Sequence, residues 1–453
     1  MIINDSLTTN DLLPDLERFW KVSAEKIELI NREYDNSQGS PVFTVAGKYS
    51  TRGWTEWTQG FQYGSEILQY DATGNESFLE MGRRNTVEKM APHVTHFGVH
   101  DHGFNNVSTY GNLLRLMNEG RIPENEWERN FYVMALQASS AVQAKRWTEI
   151  PSGGYIYSFN GPHSLFADTI RSLRALAVGH QLGHSIMGEN DKQTSLLERL
   201  VQHVNTTANF AVYYGEGRDA YDVWGRTAHE SIFNLNDGNY RCPNSQQGFS
   251  PFTTWTRGLA WIMVGAPEQL EFLKTVDDAD LEPLEPLGGR EAIEAVLLKM
   301  AKATCDFYID NTATDGIPYW DTGALNSHKL GEDVYQRESD PFNDAEPVDS
   351  SAAAIGAQGL LRLGRYLNEP KYTQAGLTVM QTLLSDKYLS LDSSHQGLVL
   401  HSVYHRPNGW DHIPNGQTVP CGESCMWGDY HARETALYVQ RLANDEPYYK
   451  FYL

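Results

Sequence analysis

Residues 165–187 read LFADTIRSLRALAVGHQLGHSIM. Leu165, Phe166, Ile170, Leu173, Leu176 and Ala177 recur at helical spacing, so the stretch predicts a strongly apolar helix over Leu165–Met187. Asp168 sits at its start. An acid there is favoured by the helix dipole. The sharper reading is a carboxyl facing an aromatic pocket, where desolvation favours the neutral form and makes a proton donor near neutral pH.

Comparable segments lie on both sides. Leu12, Leu13, Leu16, Phe19 and Trp20 form one, with Asp11 placed to cap it. Others run over Trp57–Tyr70, Phe78–Met90, Asn125–Trp147, Ser195–Tyr213 and Phe252–Val264, then Arg290–Tyr308, Ser350–Leu367, Tyr372–Leu384 and Tyr430–Leu442. That is roughly a dozen helices, and six helical hairpins closing into an (α/α)6 barrel use about this many. Alternation of the strand type is short and local, as in Leu398–Tyr404, so the expected class is all-α. The connections Pro151–Pro162, Tyr214–Pro251, Asp310–Asp349 and His405–Met426 are long and rich in Gly, Pro, Asn and aromatics. Loops of that length on a helical frame suggest a loop-built pocket. Helices of the same kind flank DDADLEPLEP at 277–286, which reads as a solvated surface loop rather than a linker. The expectation is one domain over 1–453.

Of the 453 residues, 58 are acidic and 36 basic, a net charge of −22. That balance disfavours nucleic acid and anionic membrane as partners, because both need clustered Lys and Arg. No apolar run approaches the about 20 residues that span a bilayer. Met1–Pro14 shows no secretory signal, so the expected location is the cytoplasm; a trimmed signal would leave the same sequence. The phosphate-binding loop, the HExxH metal helix, the GxSxG elbow and a Gly-rich dinucleotide fingerprint are all missing. Cys421 and Cys425 near His412 and His431 lack the usual zinc spacing and a second Cys pair, so no metal is expected.

Carboxylates, aromatics and histidines remain. In Trp54-Thr55-Glu56-Trp57-Thr58-Gln59-Gly60-Phe61, Trp57 and Phe61 share a helix face, as core or as a platform for the C–H face of a pyranose. In His100-Asp101-His102-Gly103-Phe104, Asp101 is a helix cap or a functional acid. Gln247-Gly248-Phe249 with Trp255-Thr256-Arg257-Gly258-Leu259-Ala260-Trp261 can grip a flat anionic ligand, with Arg257 on a carboxylate; alternatively Arg257 pairs with one of the many acids. Asp349-Ser350-Ser351-Ala352 reads first as a cap. Trp427-Gly428-Asp429-Tyr430 with Glu434, preceded by Leu400–His405, completes the set. Together these point to carbohydrate chemistry.

Six blocks in order resemble glycoside hydrolase family 88, the unsaturated glucuronyl hydrolases, and more distantly family 105: Trp57–Gly64, His100–Phe104, Ala167–Thr169, Gln247–Trp261, Asp349–Ile355 and Trp427–Tyr430. The resemblance implies an (α/α)6 barrel. It also implies removal of a 4,5-unsaturated uronic acid from the non-reducing end of lyase-derived oligosaccharides by vinyl-ether hydration, with no metal or organic cofactor. By matching motif it implies Asp168 as general acid and then base. Asp101 is implied as its partner, raising the proton affinity of Asp168 by like charge. Trp57, Phe61, Phe104, Trp255 and Trp261 become the stacking wall, with His100, Gln247 and Arg257 as polar contacts. The chain departs from the family where Ala220-Tyr221-Asp222-Val223 puts Asp222 in place of a His, with His229 further on, and where Gln246 replaces a His before the Gln-Gly-Phe block. These changes leave the uronide, the linkage and the leaving sugar open. The alternatives are another (α/α)6 carbohydrate enzyme (a saturated uronidase, a polysaccharide lyase or a sugar epimerase) and an inactive oligosaccharide-binding protein. Homo-oligomerisation is left open as well.

Overall fold

The computed structural model describes residues 1–53 and 56–452. Trp54 and Thr55, part of the first aromatic cluster, lie outside the described residues. Six inner segments form a closed ring: Gln59–Thr73, then 102–118, 169–181, Thr256–Leu273, Ser350–Leu367 and Met426–Ala443. Each packs on the next, and the last packs on the first. Outside them run Leu13–Glu33, Glu76–Lys89, Glu126–Lys145, Leu196–Phe210, Gly289–Asp310 and Pro370–Leu383. The architecture is an (α/α)6 barrel.

Burial separates the two layers as apolar patterning demands. Every residue of Thr256–Leu273 is buried, whereas Leu13–Glu33 buries one stripe that includes Leu16, Phe19, Trp20 and Ile27. One apolar cluster continues from Leu7 to Tyr452. Among the described residues no helix is long and apolar enough to cross a membrane.

Two inner segments are broken, and both breaks face the same end of the barrel. The continuous helix expected over 165–187 is instead a strand Ser164–Phe166, two short helices Thr169–Ser172 and Arg174–Gln181, and a strand Ser185–Met187. Residues 102–118 comprise an α turn His102–Asn105, a π turn Val107–Gly111 and the helix Asn112–Asn118. Tyr214–Pro251 is only partly loop: Glu230–Phe233 pairs antiparallel with both Ser164–Phe166 and Tyr240–Asn244. Leu398–Tyr404 forms no strand, only a bridge from Val399 to Leu389. The surface stretch at 277–286 coils into a short helix Asp278–Leu281 and a 3-10 turn Glu282–Leu287.

The glycines of the first two aromatic blocks mark where inner segments touch backbone to backbone. A Cβ on Gly60 would collide with the Asn105 backbone, and one on Gly103 with the Ser172 backbone. Gly103→Ala should therefore lower unfolding free energy by about 3 kcal/mol, read from the denaturation midpoint. Gly53→Ala, whose added carbon meets no described residue within 4 Å beyond its chain neighbours, should leave it unchanged.

Candidate active site

The broken inner segments deliver two acids to one cavity. Asp101 occupies the N-cap of His102–Asn105 and Asp168 that of Thr169–Ser172, and neither side chain caps its helix. Asp349, by contrast, does cap: its Oδ1 accepts from Ser351 N at 3.0 Å. The plain helix-cap reading thus holds for Asp349 and fails for the other two acids.

A buried polar clamp joins the two breaks. Ser172 Oγ donates to His100 O at 2.8 Å and accepts from Gly103 N at 3.0 Å. Gln143 Nε2 donates to both Ser172 Oγ and His100 O. On the other side, Ala167 N donates to His229 O at 2.9 Å, continuing the ladder of the three-stranded sheet and setting His229 beside Asp168. His100 stands between the carboxyls, its Nε2 3.8 Å from Asp101 Oδ1 and 3.6 Å from Asp168 Oδ2. Both are ion-pair distances for a protonated ring, and neither is a hydrogen bond. The donor atoms of the three residues lie within 4.8 Å of one another, close enough to bridge a cation and equally to share a proton. Neither Cys421 nor Cys425 is near this grouping; both are buried free thiols.

The environment divides the two acids. Burial pushes Asp101 up to about 6, helped by the charge of Asp168 and opposed by His100. Burial pushes on Asp168 too, but His100, with His229 behind it, outweighs that and holds Asp168 below the ordinary carboxylate range. The two acids are thus pushed in opposite directions, Asp101 up and Asp168 down, whereas the resemblance implies an Asp101 charge that raises Asp168. Burial would lower His100, yet the two carboxylates raise it. His229 and His405 are pushed down by burial to about 3 and about 4, so both are neutral at physiological pH.

Aromatic side chains wall the cavity. Trp57, Phe104, Trp255 and Trp261 line it, together with Gln246 and Gln247. Trp57 stacks on Trp427 at 5.0 Å, and Phe104 packs on Trp261 at 4.8 Å. Phe61 is not in the wall. It is fully buried behind Phe104 and Tyr430, because its helix face points into the ring interior.

Arg257 lines the cavity, but its guanidinium is held by the protein. It donates to Asp349 Oδ2 at 3.0 Å, Gln247 Oε1 at 2.9 Å and Tyr404 O at 2.8 Å, and also to Val403 O. It lies over the rings of Trp255 and Trp427. The pairing with an acid weighed at the outset is the one found.

Asp222 does not reach the cavity. Its carboxylate caps its own loop, accepting from the backbone N–H groups of Gly215, Glu216 and Arg218. The imidazole beside the acids is that of His229. Its Nδ1 accepts from Gln246 N and Gln247 N, so the ring proton lies on Nε2. Glu434 and Asp429 are structural: Glu434 pairs with Arg171 and Arg174, and Asp429 accepts from Leu398 N, Val399 N and Tyr49 OH. Sequence reasoning did not single out Phe159, Asn408 or Trp410, which complete the rim with Tyr404 and His405. Their loops, 151–162 and 405–426, were marked by length and aromatic content.

A 393-residue alignment to an unsaturated glucuronyl hydrolase of Formosa agariphila is 25% identical, covering 85% of this chain and 80% of the relative. A 412-residue alignment to the unsaturated glucuronyl hydrolase of Bacillus sp. strain GL1 is also 25% identical, covering 87% and 89%. The chain is similar to unsaturated glucuronyl hydrolases along most of its length. The crystal structure of the Streptococcus agalactiae unsaturated glucuronyl hydrolase superposes with a TM-score of 0.71 at 20% identity, covering 98% of this chain and 94% of that one; it confirms the barrel. No family model matches the chain.

The opposite shifts of the two acids give opposite effects on stability. Asp101 binds its proton more tightly folded than unfolded, so stability falls as pH rises from about 4 through about 6. Asp168, held low, stabilises above its unfolded pKa and loses that contribution as pH falls. Asp101→Asn should therefore raise the thermal midpoint at pH 7 and change it little at pH 4. Asp168→Asn should lower it at pH 7. Thermal unfolding of the two variants across pH 4–8 checks both signs.

Proposed function

We propose that this protein removes a 4,5-unsaturated uronic acid from the non-reducing end of oligosaccharides left by polysaccharide lyases, by hydrating the vinyl ether. The observation that carries the reading is the Asp101–His100–Asp168 grouping, nine-tenths or more buried, against the indoles and phenyl of a cavity built at the broken ends of two inner segments. The relatives support it by their names. One similar solved structure, of the Streptococcus agalactiae enzyme, is a complex with dGlcA-GalNAc6S.

In this reading the uronate ring lies against Trp57, Phe104, Trp255 and Trp261. Near pH 6 the two acids and His100 hold one exchangeable proton on a carboxyl. The incoming uronate adds a negative charge, which raises the proton affinity of the acid it approaches, so the proton passes to Asp168. Asp168 donates it to C4 of the ring alkene, and the ring oxygen carries the positive charge that forms at C5. The Asp168 carboxylate then takes a proton from the water that attacks C5. The resulting hemiketal opens and releases the neighbouring sugar, and Asp168 is protonated again. The neutral Nε2–H of His229 is a donor placed beside Asp168 that adds no charge. The whole chain acts as one catalytic domain, in the cytoplasm, where its four unpaired cysteines are at home.

Incubation with lyase-derived unsaturated disaccharides should bleach the enol-ether absorbance and add one water by mass. An unchanged spectrum together with absorbance gained from intact polymer would instead make the protein a lyase. Asp168→Asn should lower kcat more than about 100-fold with folding intact. Asp222→Asn should stay within about twofold of the parent rate, because its carboxylate serves only its loop. The kcat/KM profile should descend as pH rises past about 6, where the pair loses its shared proton.

A further inference from the structure

The outer helix Glu126–Lys145 carries an apolar stripe that the barrel does not cover. Trp127 is 86% exposed, Phe131 41% and Met134 68%. With half-buried Ala138 and Val142 they follow spacings of four, three, four and four residues, which puts all five on one face. The stripe is ordered by size: its first half is large and its second half small. Beside the small half lies a largely apolar hollow lined by Phe97, Ala141, Val142, Tyr157 and Ile186 together with the cationic Lys145 and Arg146. Phe97 on its edge is 80% exposed. A knob and a hollow thus sit at opposite ends of the same helix face.

We infer that this face is where a second copy of the chain docks, two-fold related, with the two helices antiparallel. Centring the axis between Met134 and Ala135 sets Trp127 opposite Val142 of the second copy and Phe131 opposite its Ala138. Each large side chain then meets a small one, and each indole enters the other copy's hollow. Such self-complementarity is what an isologous interface requires. The charges agree. Glu126 is exposed at one end of the stripe, beside a Glu124 already held by Arg129, and Lys145 is exposed at the other; the antiparallel arrangement brings Glu126 of each helix to Lys145 of its mate and opposes the helix dipoles. The exposed apolar side chains of Trp127, Phe131, Met134 and Phe97 offer roughly 600 Å² per copy, toward the about 800 Å² per partner of a stable interface. Contiguous apolar exposure of this size marks an association surface on a soluble chain.

Sedimentation velocity of the full chain between about 1 and 100 μM should show a monomer giving way to a dimer. Trp127→Glu combined with Met134→Asp should cut the dimer at the highest concentration at least tenfold while leaving circular dichroism and turnover of unsaturated disaccharide at the parent values, since neither residue is near the cavity. In a Cys242→Ser background, which removes the exposed native thiol, Met134→Cys should cross-link on oxidation. Trp127→Cys should not, because the axis keeps its two copies about 22 Å apart along the helices. A chain monomeric at the highest concentration, a dimer that survives the double substitution, or cross-linking through position 127 instead of 134 would each overturn the assignment.

Discussion

Charge buried on the barrel axis is the constraint from which the rest follows. Arg171, Glu268, Glu434 and Arg174 have no solvent exposure, and they meet where the inner segments converge. Arg171 grips Glu268 through two nitrogens and also donates to Glu434 Oε2 at 2.8 Å and Gln358 Oε1 at 3.1 Å. Arg362 adds Glu271 and approaches Glu268. Burial would raise the Glu434 carboxyl, but the two guanidiniums beside it hold it well below its usual range. Ions without water are tolerable only when fully paired, and full pairing here needs side chains from the segments at 169–181, 256–273, 350–367 and 426–443 at once. A partly open ring would strand several charges, so closure is enforced by cost as much as by apolar gain.

The same hub reaches the site. Arg171 lies one turn beyond Asp168. Arg174 Nε donates to Gly103 O at 2.7 Å, and its Nη2 donates to Ser108 Oγ. The backbone that follows each acid is therefore tied to the axial ion pairs, and the acids themselves are left without partners of the capping kind. The electrostatics then differentiate them. Asp101 has burial and a neighbouring anion. Asp168 has two imidazoles. A few ångströms of placement push the two carboxyls in opposite directions.

Much of this was legible in the residues. Apolar spacing marked the helices and their number, and with it the barrel. The ordered blocks marked Asp101, Asp168, His100, Gln247, Trp57, Trp255 and Trp261, all of which line one cavity. The rest depended on contacts between distant segments. The break after Phe166 exists because that stretch pairs with Glu230–Phe233, and the apolar pattern reads as helix on either side of it. Phe61 and Phe104 carry the same chemistry, and only the rotation of their helices puts one in the wall and one behind it. Asp222 was placed by its position between Tyr and Val, whereas its carboxylate answers to three backbone N–H groups of its own turn. Arg257 shows the limit of residue type: a guanidinium suited to a uronate is already occupied by Asp349, Gln247 and two carbonyls.

The plugged axis has a mechanical result. Arginines, glutamates and the Trp261–His431 ring contact stop the cavity from becoming a tunnel, so no chain can thread through it. A saccharide can enter only tip first and must back out the way it came. For the proposed reaction this means one terminal unit per visit, with the shortened remainder diffusing away before it is caught again. Such a catalyst suits a pool of small fragments, and a long polymer offers it just one address per molecule.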